Sequence, residues 1–140
     1  MKPRKIEHNP QEDMFRLRLE QMLDQRHALY KLANQIEWAA AEERFGSLYA
    51  EEGRPAIPIR LMVGLHYLKH AFNESDEDVV SKWVENPYWQ YFCGETYFQH
   101  RLPIDPSQMT RFRKRIGESG CEFMLGLTIH AGISVKVGSA

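Results

Sequence analysis

The chain has 140 residues, 43% hydrophobic and 26% charged, which is ordinary for a globular protein and enough for one buried core. No apolar run approaches the roughly 18 residues a bilayer span requires, and two cysteines, Cys93 and Cys121, are too few for a disulfide-stapled secreted fold, so a cytoplasmic protein without membrane attachment is expected. The net charge of −1 argues by itself against a nucleic-acid binder, but the charge is unevenly spread.

Residues 1–10 read as a flexible N-terminal arm. They begin with the basic run Met1-Lys2-Pro3-Arg4-Lys5, but Glu7, Asn9, Gln11, Glu12 and Asp13 stand where a signal peptide needs an apolar core. Periodicity then predicts an all-α, multi-helix bundle over residues 11–131. Gln11 to about Asp24 carries Phe15, Leu19, Met22 and Leu23 at helical spacing. A second helix from about His27 to Phe45 puts Leu29, Leu32, Ile36 and Ala40 on one face, with Gly46 ending it.

The third helix is the clearest. Pro58 suits its first turn, Leu61, Leu65, Leu68 and Phe72 make an apolar stripe, and Asn73 ends it. Ser75 reads as the N-cap of a fourth, with Asp76, Glu77 and Asp78 in the first turn where the helix dipole favours acids. Val79, Val80, Trp83 and Val84 bury that helix. Asn86-Pro87 starts a short fifth helix over Tyr88 to Cys93, stopped by Gly94.

A loop containing Pro103 leads to a basic helix. Asp105 is its N-cap, Pro106 its first residue, and Gln108 is placed to reach back as a capping box. Met109, Phe112 and Ile116 form its buried side, leaving Ser107, Arg111, Lys114 and Arg115 opposite. A last helix is expected from Cys121 to about His130. Residues 132–140 read as the start of a linker or strand, because Ile133-Ser134-Val135-Lys136-Val137 alternates. That strand has no partner here, so its sheet is expected in sequence beyond it.

Between Gln99 and Ile116 stand five basic residues (Arg101, Arg111, Arg113, Lys114, Arg115) and one acid, Asp105, giving +4 locally and −5 elsewhere. Such a stripe on an acidic body is either a footprint for phosphate or a solvated helix face. Other chemistry is poorer. His66 and His70 have metal-ligand spacing, but Tyr67 replaces the glutamate of a zincin, and Cys93, His100, Cys121 and His130 have no spacing that closes a zinc site. Cys93 is expected to be a small buried residue, and Gly64 and Gly126 to permit close helix packing. Helical spacing assigns Trp83, Tyr88, Trp89, Tyr91 and Phe92 to the core rather than to base stacking.

Three strings carry a resemblance. They are Gly53-Arg54-Pro55-x-x-Pro58-x-Arg60-Leu61-Met62-Val63-Gly64-Leu65-His66-Tyr67-Leu68-Lys69, then Trp83-Val84-Glu85-Asn86-Pro87-Tyr88-Trp89-Gln90-Tyr91-Phe92-Cys93-Gly94, then Ser107-Gln108-Met109-Thr110-Arg111-Phe112-Arg113. Long, ordered and collinear, they resemble the N-terminal region of bacterial insertion-sequence transposases of the insertion-sequence-five type, over the chain from Met14 onward. The resemblance implies a helix-turn-helix-like region that recognises double-stranded DNA at the terminal inverted repeats of the element. In relatives a ribonuclease-H-like domain with an acidic metal-binding triad follows. None of those three carboxylates is in this sequence, so no catalytic residue is carried over, no cofactor is expected in this chain, and divalent metal is expected only with the catalytic domain.

The residues expected to meet DNA lie on the helix from Pro106. Arg111, Lys114 and Arg115 face the backbone or guanine edges, and Ser107, Gln108 and Thr110 approach from the helix N-terminus. Arg113, nearer the apolar side, is a further candidate or the partner of an acid. Arg101 and Arg54 flank the site, and the helix from Ser75 braces it. Two other functions fit the same sequence. The first three helices could form a homodimerisation unit, letting a fragment bind and poison full-length transposase, and the module could be a stand-alone repressor.

Overall fold

The computed structural model describes the backbone of residues 16–49 and 57–138 and the side chains of residues 16–47 and 57–131. The N-terminal arm, Phe15 and Arg54 lie outside the described residues. Among those described there are seven helices and no strand: α1 (Leu19–Met22), α2 (Ala28–Ala33), α3 (Trp38–Tyr49), α4 (Ile59–Ala71), α5 (Asp76–Trp83), α6 (Pro87–Phe92) and α7 (Ser107–Gly138). The last is broken at Gly117 into arms 107–116 and 118–138.

Local chemistry sets most boundaries. Ser75 Oγ accepts from Asp78 N at 3.0 Å, and Asn86 Oδ1 accepts from Tyr88 N and Trp89 N at 3.0 and 3.2 Å, so both N-caps are occupied as expected. Asn73 and Gly94 adopt positive φ of 54° and 98° where α4 and α6 end. The single helix expected from His27 to Phe45 is instead two. Asn34 turns Nδ2 back to Tyr30 O at 3.1 Å, and the Trp38 indole N–H, 2.8 Å from Ala33 O, caps α2 across the gap. Gly46 lies inside α3 rather than ending it. The described part of the first expected helix is one turn, and Met22 on it is exposed.

The core gathers on α4. Leu61, Met62, Val63, Leu65, His66 and Leu68 are all buried there, against Phe45 of α3, Val79, Val80 and Trp83 of α5, and Trp89 and Phe92 of α6. Gly64 is the point of closest approach, since a Cβ there would sit 2.6 Å from Cys93 Sγ. Phe72 departs from the expected stripe. It caps α4 half-exposed, tilted over Trp89 at 5.2 Å. The rest of that stripe is core, so it offers no exposed dimer surface. Gly126 meets nothing, and close packing does not explain it.

The C-terminal expectation needs correction. Residues 133–137 are helical, continuing the second arm of α7. Five alternating residues carry little weight against a helix already nucleated upstream, because extending it costs far less than starting a new element. The break falls at Gly117 (φ 70°, ψ −177°), a backbone region essentially reserved for glycine, rather than just before Cys121, where the last helix is expected to begin.

Candidate nucleic-acid interface

The first arm of α7 begins with the capping box its sequence announces. Asp105 N donates to Gln108 Oε1 and Ser107 N to Asp105 Oδ1, both at 2.9 Å. The Ser107 amide holds the Asp105 carboxyl below its ordinary range. Met109, Phe112 and Ile116 are buried, with Phe112 edge-on to Phe45 at 5.7 Å and tilted against the His66 ring at 5.6 Å. This anchorage is made by His66 of α4 and Phe45 of α3. The expected brace, α5, reaches α7 mainly through one ion pair.

That pair is Arg113 with Asp76. Its guanidinium donates from Nη1 and Nη2 to Asp76 Oδ1 and Oδ2 at 3.0 and 2.8 Å, and Nη1 also faces His66 Nε2 at 3.1 Å. His66 Nδ1 lies 2.7 Å from Met62 O, so the neutral ring donates to that carbonyl and accepts from Arg113. Burial pushes the imidazole down to about 4. Lys69 Nζ adds a second cation, 3.3 Å from Asp76 Oδ1. His66 thus engages both nitrogens within the protein, which accounts for it without a metal. Asp76, expected as a dipole partner of its own helix, is also a partner of α7.

The predicted site residues therefore separate. Ser107, Arg111, Lys114 and Arg115 are exposed on the side of α7 away from its buried residues. Gln108 is engaged in the cap, and Thr110 Oγ1 accepts from Arg113 Nη2 at 3.2 Å. Arg113 is withdrawn into the Asp76 pair. Arg101 is exposed on the loop before α7. The helix N-terminus is a poorer phosphate site than expected, because the Asp105 carboxylate already takes the Ser107 amide.

The aromatic block serves packing. Trp83, Trp89 and Phe92 are buried, Tyr91 stacks on Tyr30 at 4.5 Å and donates to Asn34 Oδ1, and Tyr88 stacks on His27 at 3.8 Å. Arg60, in the first turn of α4, donates to Phe92 O and Tyr91 O at 3.1 and 3.2 Å and so caps α6. Cys93 is buried, and burial pushes its thiol up to about 12. Between α4 and the second arm of α7 lies a cleft of about 610 Å³ with His70, Cys121, Leu125 and Ile129 among its walls. Among the described residues no three His, Cys, Asp or Glu side chains converge to hold a metal.

The model of a transposase domain family (DUF772) matches residues 17–115, a span that contains α1 to α6 and most of the first arm of α7. The chain belongs to that family. A similar protein of Rhizobium meliloti, "Uncharacterized protein ORF8 in nfe locus", is 54% identical over 121 residues. That match takes in 86% of this chain but 58% of the relative, so the chain spans little more than half of the protein it resembles. No solved structure matches. Among the described residues no helix is long and apolar enough to cross a membrane.

Proposed function

We propose that this transposase-related domain binds duplex DNA through the first arm of α7 and, in a bacterial cytoplasm, recognises the terminal inverted repeats of an insertion sequence. One observation carries the reading. Arg111, Lys114 and Arg115 project together from a helix whose opposite side is locked by Met109, Phe112, Ile116 and the Arg113–Asp76 pair. A rigid helix presenting cations at one-turn spacing can follow a groove without first paying to order itself. The strict helix-turn-helix geometry is not required. α6 and the segment 93–106 lie between α5 and α7, so α4 acts as the support.

Cleavage and strand transfer need carboxylates that hold paired divalent ions, and this chain by itself is proposed to bind DNA without cutting it. The test is fluorescence anisotropy with duplexes from the DNA flanking its gene and with shuffled duplexes of equal length. Binding should favour the flanking sequence and weaken log-linearly between about 50 and 200 mM salt. No binding to either duplex at the low-salt end would sink the proposal.

A further inference from the structure

We propose that the edge formed by Arg18, Tyr97, His100 and Arg101 is a second docking point for the phosphate backbone of duplex DNA, extending the footprint of α7. The inference rests on the DNA-binding reading above.

The loop after α6 has no regular structure, yet it is held from several sides. Gln90, fully buried, accepts from Gln99 N at 2.7 Å through Oε1 and donates to Gln99 O at 2.9 Å through Nε2. Leu19 N donates to Thr96 O at 2.8 Å, and Arg16 Nη2 donates to Phe98 O at 3.3 Å. The loop is thus fixed by the fold's interior on one side and by residues 16–19 on the other. A loop tied to a rigid scaffold presents side chains at little entropic cost.

Those side chains are cationic and aromatic. The Arg16 guanidinium lies 5.1 Å from the centre of the Tyr97 ring, and Arg18 leans on the Tyr97 hydroxyl, which raises its pKa. Phe98 and His100 meet edge-on at 5.0 Å, and His100 and Arg101 are exposed. An acid on this edge, Glu20, lies 3.5 Å from Arg18 with both side chains about half exposed. Such a pair contributes little and yields readily to phosphate. The neighbouring Glu95 carboxyl is partly buried, and burial pushes its pKa up. Arg101 stands four residues before the Asp105 cap in the chain, so the loop leads into the basic arm of α7. Cations flanked by rings, on a tethered loop that leads into a basic helix, suit a phosphodiester backbone better than an apolar partner.

The test compares the full chain with Arg18→Gln/Arg101→Gln and with Arg111→Gln/Lys114→Gln by hydroxyl-radical footprinting and by salt titration. The first variant should keep the centre of the protected stretch and shorten it at one end. Its log–log salt slope should fall by about 1.8, since each phosphate no longer neutralised takes away about 0.9. Far-UV circular dichroism checks folding. Should the double variant prove unstable, Arg101→Gln alone carries the test, with a fall of about 0.9. An unchanged footprint and slope, in protein whose slope still falls on changing Arg111 and Lys114, would overturn this inference and leave the α7 reading standing. If the wild-type chain binds no duplex, both fall.

Discussion

Arg113 grips the Asp76 carboxylate with both terminal nitrogens, and through this pairing the most basic helix of the chain is joined to the most acidic helix start. Sequence alone leaves Arg113 among the cations available to DNA. The pair withdraws it and gives it a structural task, keeping α7 seated on α4 beside His66. The two side chains are 30% and 14% exposed, so the pair lies between a surface bridge and a buried one. Arg113→Ala should cost about 1–3 kcal/mol in urea denaturation, because Asp76 is left without its bidentate partner. Arg113→Lys should recover only part of that, since an ammonium cannot reproduce the fork. The salt slope of DNA binding should stay unchanged in Arg113→Gln, which removes the charge, in protein that circular dichroism shows to be folded. A slope lowered by about 0.9, the value of one phosphate, would place Arg113 on the DNA.

His66 makes stability depend on pH. In the fold its pKa is lowered to about 4, mainly by burial, whereas the unfolded ring titrates near 6.5. Between those values the unfolded chain binds more protons than the folded one, so stability falls as pH falls from about 6.5 to about 4. The shift corresponds to about 3 kcal/mol at most. Asp76 behaves differently. Arg113 holds its pKa below the usual carboxylate value, so its contribution is lost only in stronger acid. Thermal melting followed from about pH 7.5 down to about pH 4.5, across the imidazole window, should show the decline in the wild type, with a flatter profile in His66→Gln. Equal slopes in both would assign the decline to another group.

The close packing of α4 on Cys93 gives a paired test. A Cβ at residue 64 would lie 2.6 Å from Cys93 Sγ and 3.3 Å from Cys93 Cα. Gly64→Ala should therefore cost about 1–3 kcal/mol through overpacking. Adding Cys93→Ala removes the sulfur and should recover part of that cost, so the two changes should not add. Additive effects would mean the helices already have room to part.

What the sequence makes legible follows the range of the interaction. Ser75, Asn86 and Asp105 cap helices through bonds to residues two or three positions away, so a local reading finds them. The α7 pattern is equally legible, because Met109, Phe112 and Ile116 mark the buried side within three turns. The gap between α2 and α3 is hidden. Leu29, Leu32 and Ile36 keep helical spacing into it, and the cap comes from the Trp38 indole. Gln90, Arg60 and the Arg113–Asp76–His66 cluster join residues far apart in sequence and leave no local mark. The edge at Arg18 and Arg101 is half legible. Arg101 stands in the basic stretch, but only the folded chain brings residues 16–18 to the Tyr97 loop.

The functional reading stands or falls with Arg111 and Lys114. Both are exposed on the first arm of α7, and neither is tied to the core as Arg113 is. Replacing both with glutamine should leave the melting temperature nearly unchanged, since surface changes of this kind stay within about 0.5 kcal/mol. DNA binding should weaken, and the salt slope should fall by about 0.9 for each phosphate the pair neutralises in the wild type. A hydrogen bond to a guanine edge would behave differently, its removal costing about 1–3 kcal/mol on the preferred duplex and relaxing preference at one base. Arg26→Gln is the suitable control, because Arg26 is exposed and pairs across its own turn with Asp24. Lys69 is unsuitable, being tied to Asp76. If the double variant keeps its affinity and slope while folding normally, α7 presents a solvated face and DNA lies elsewhere on the molecule.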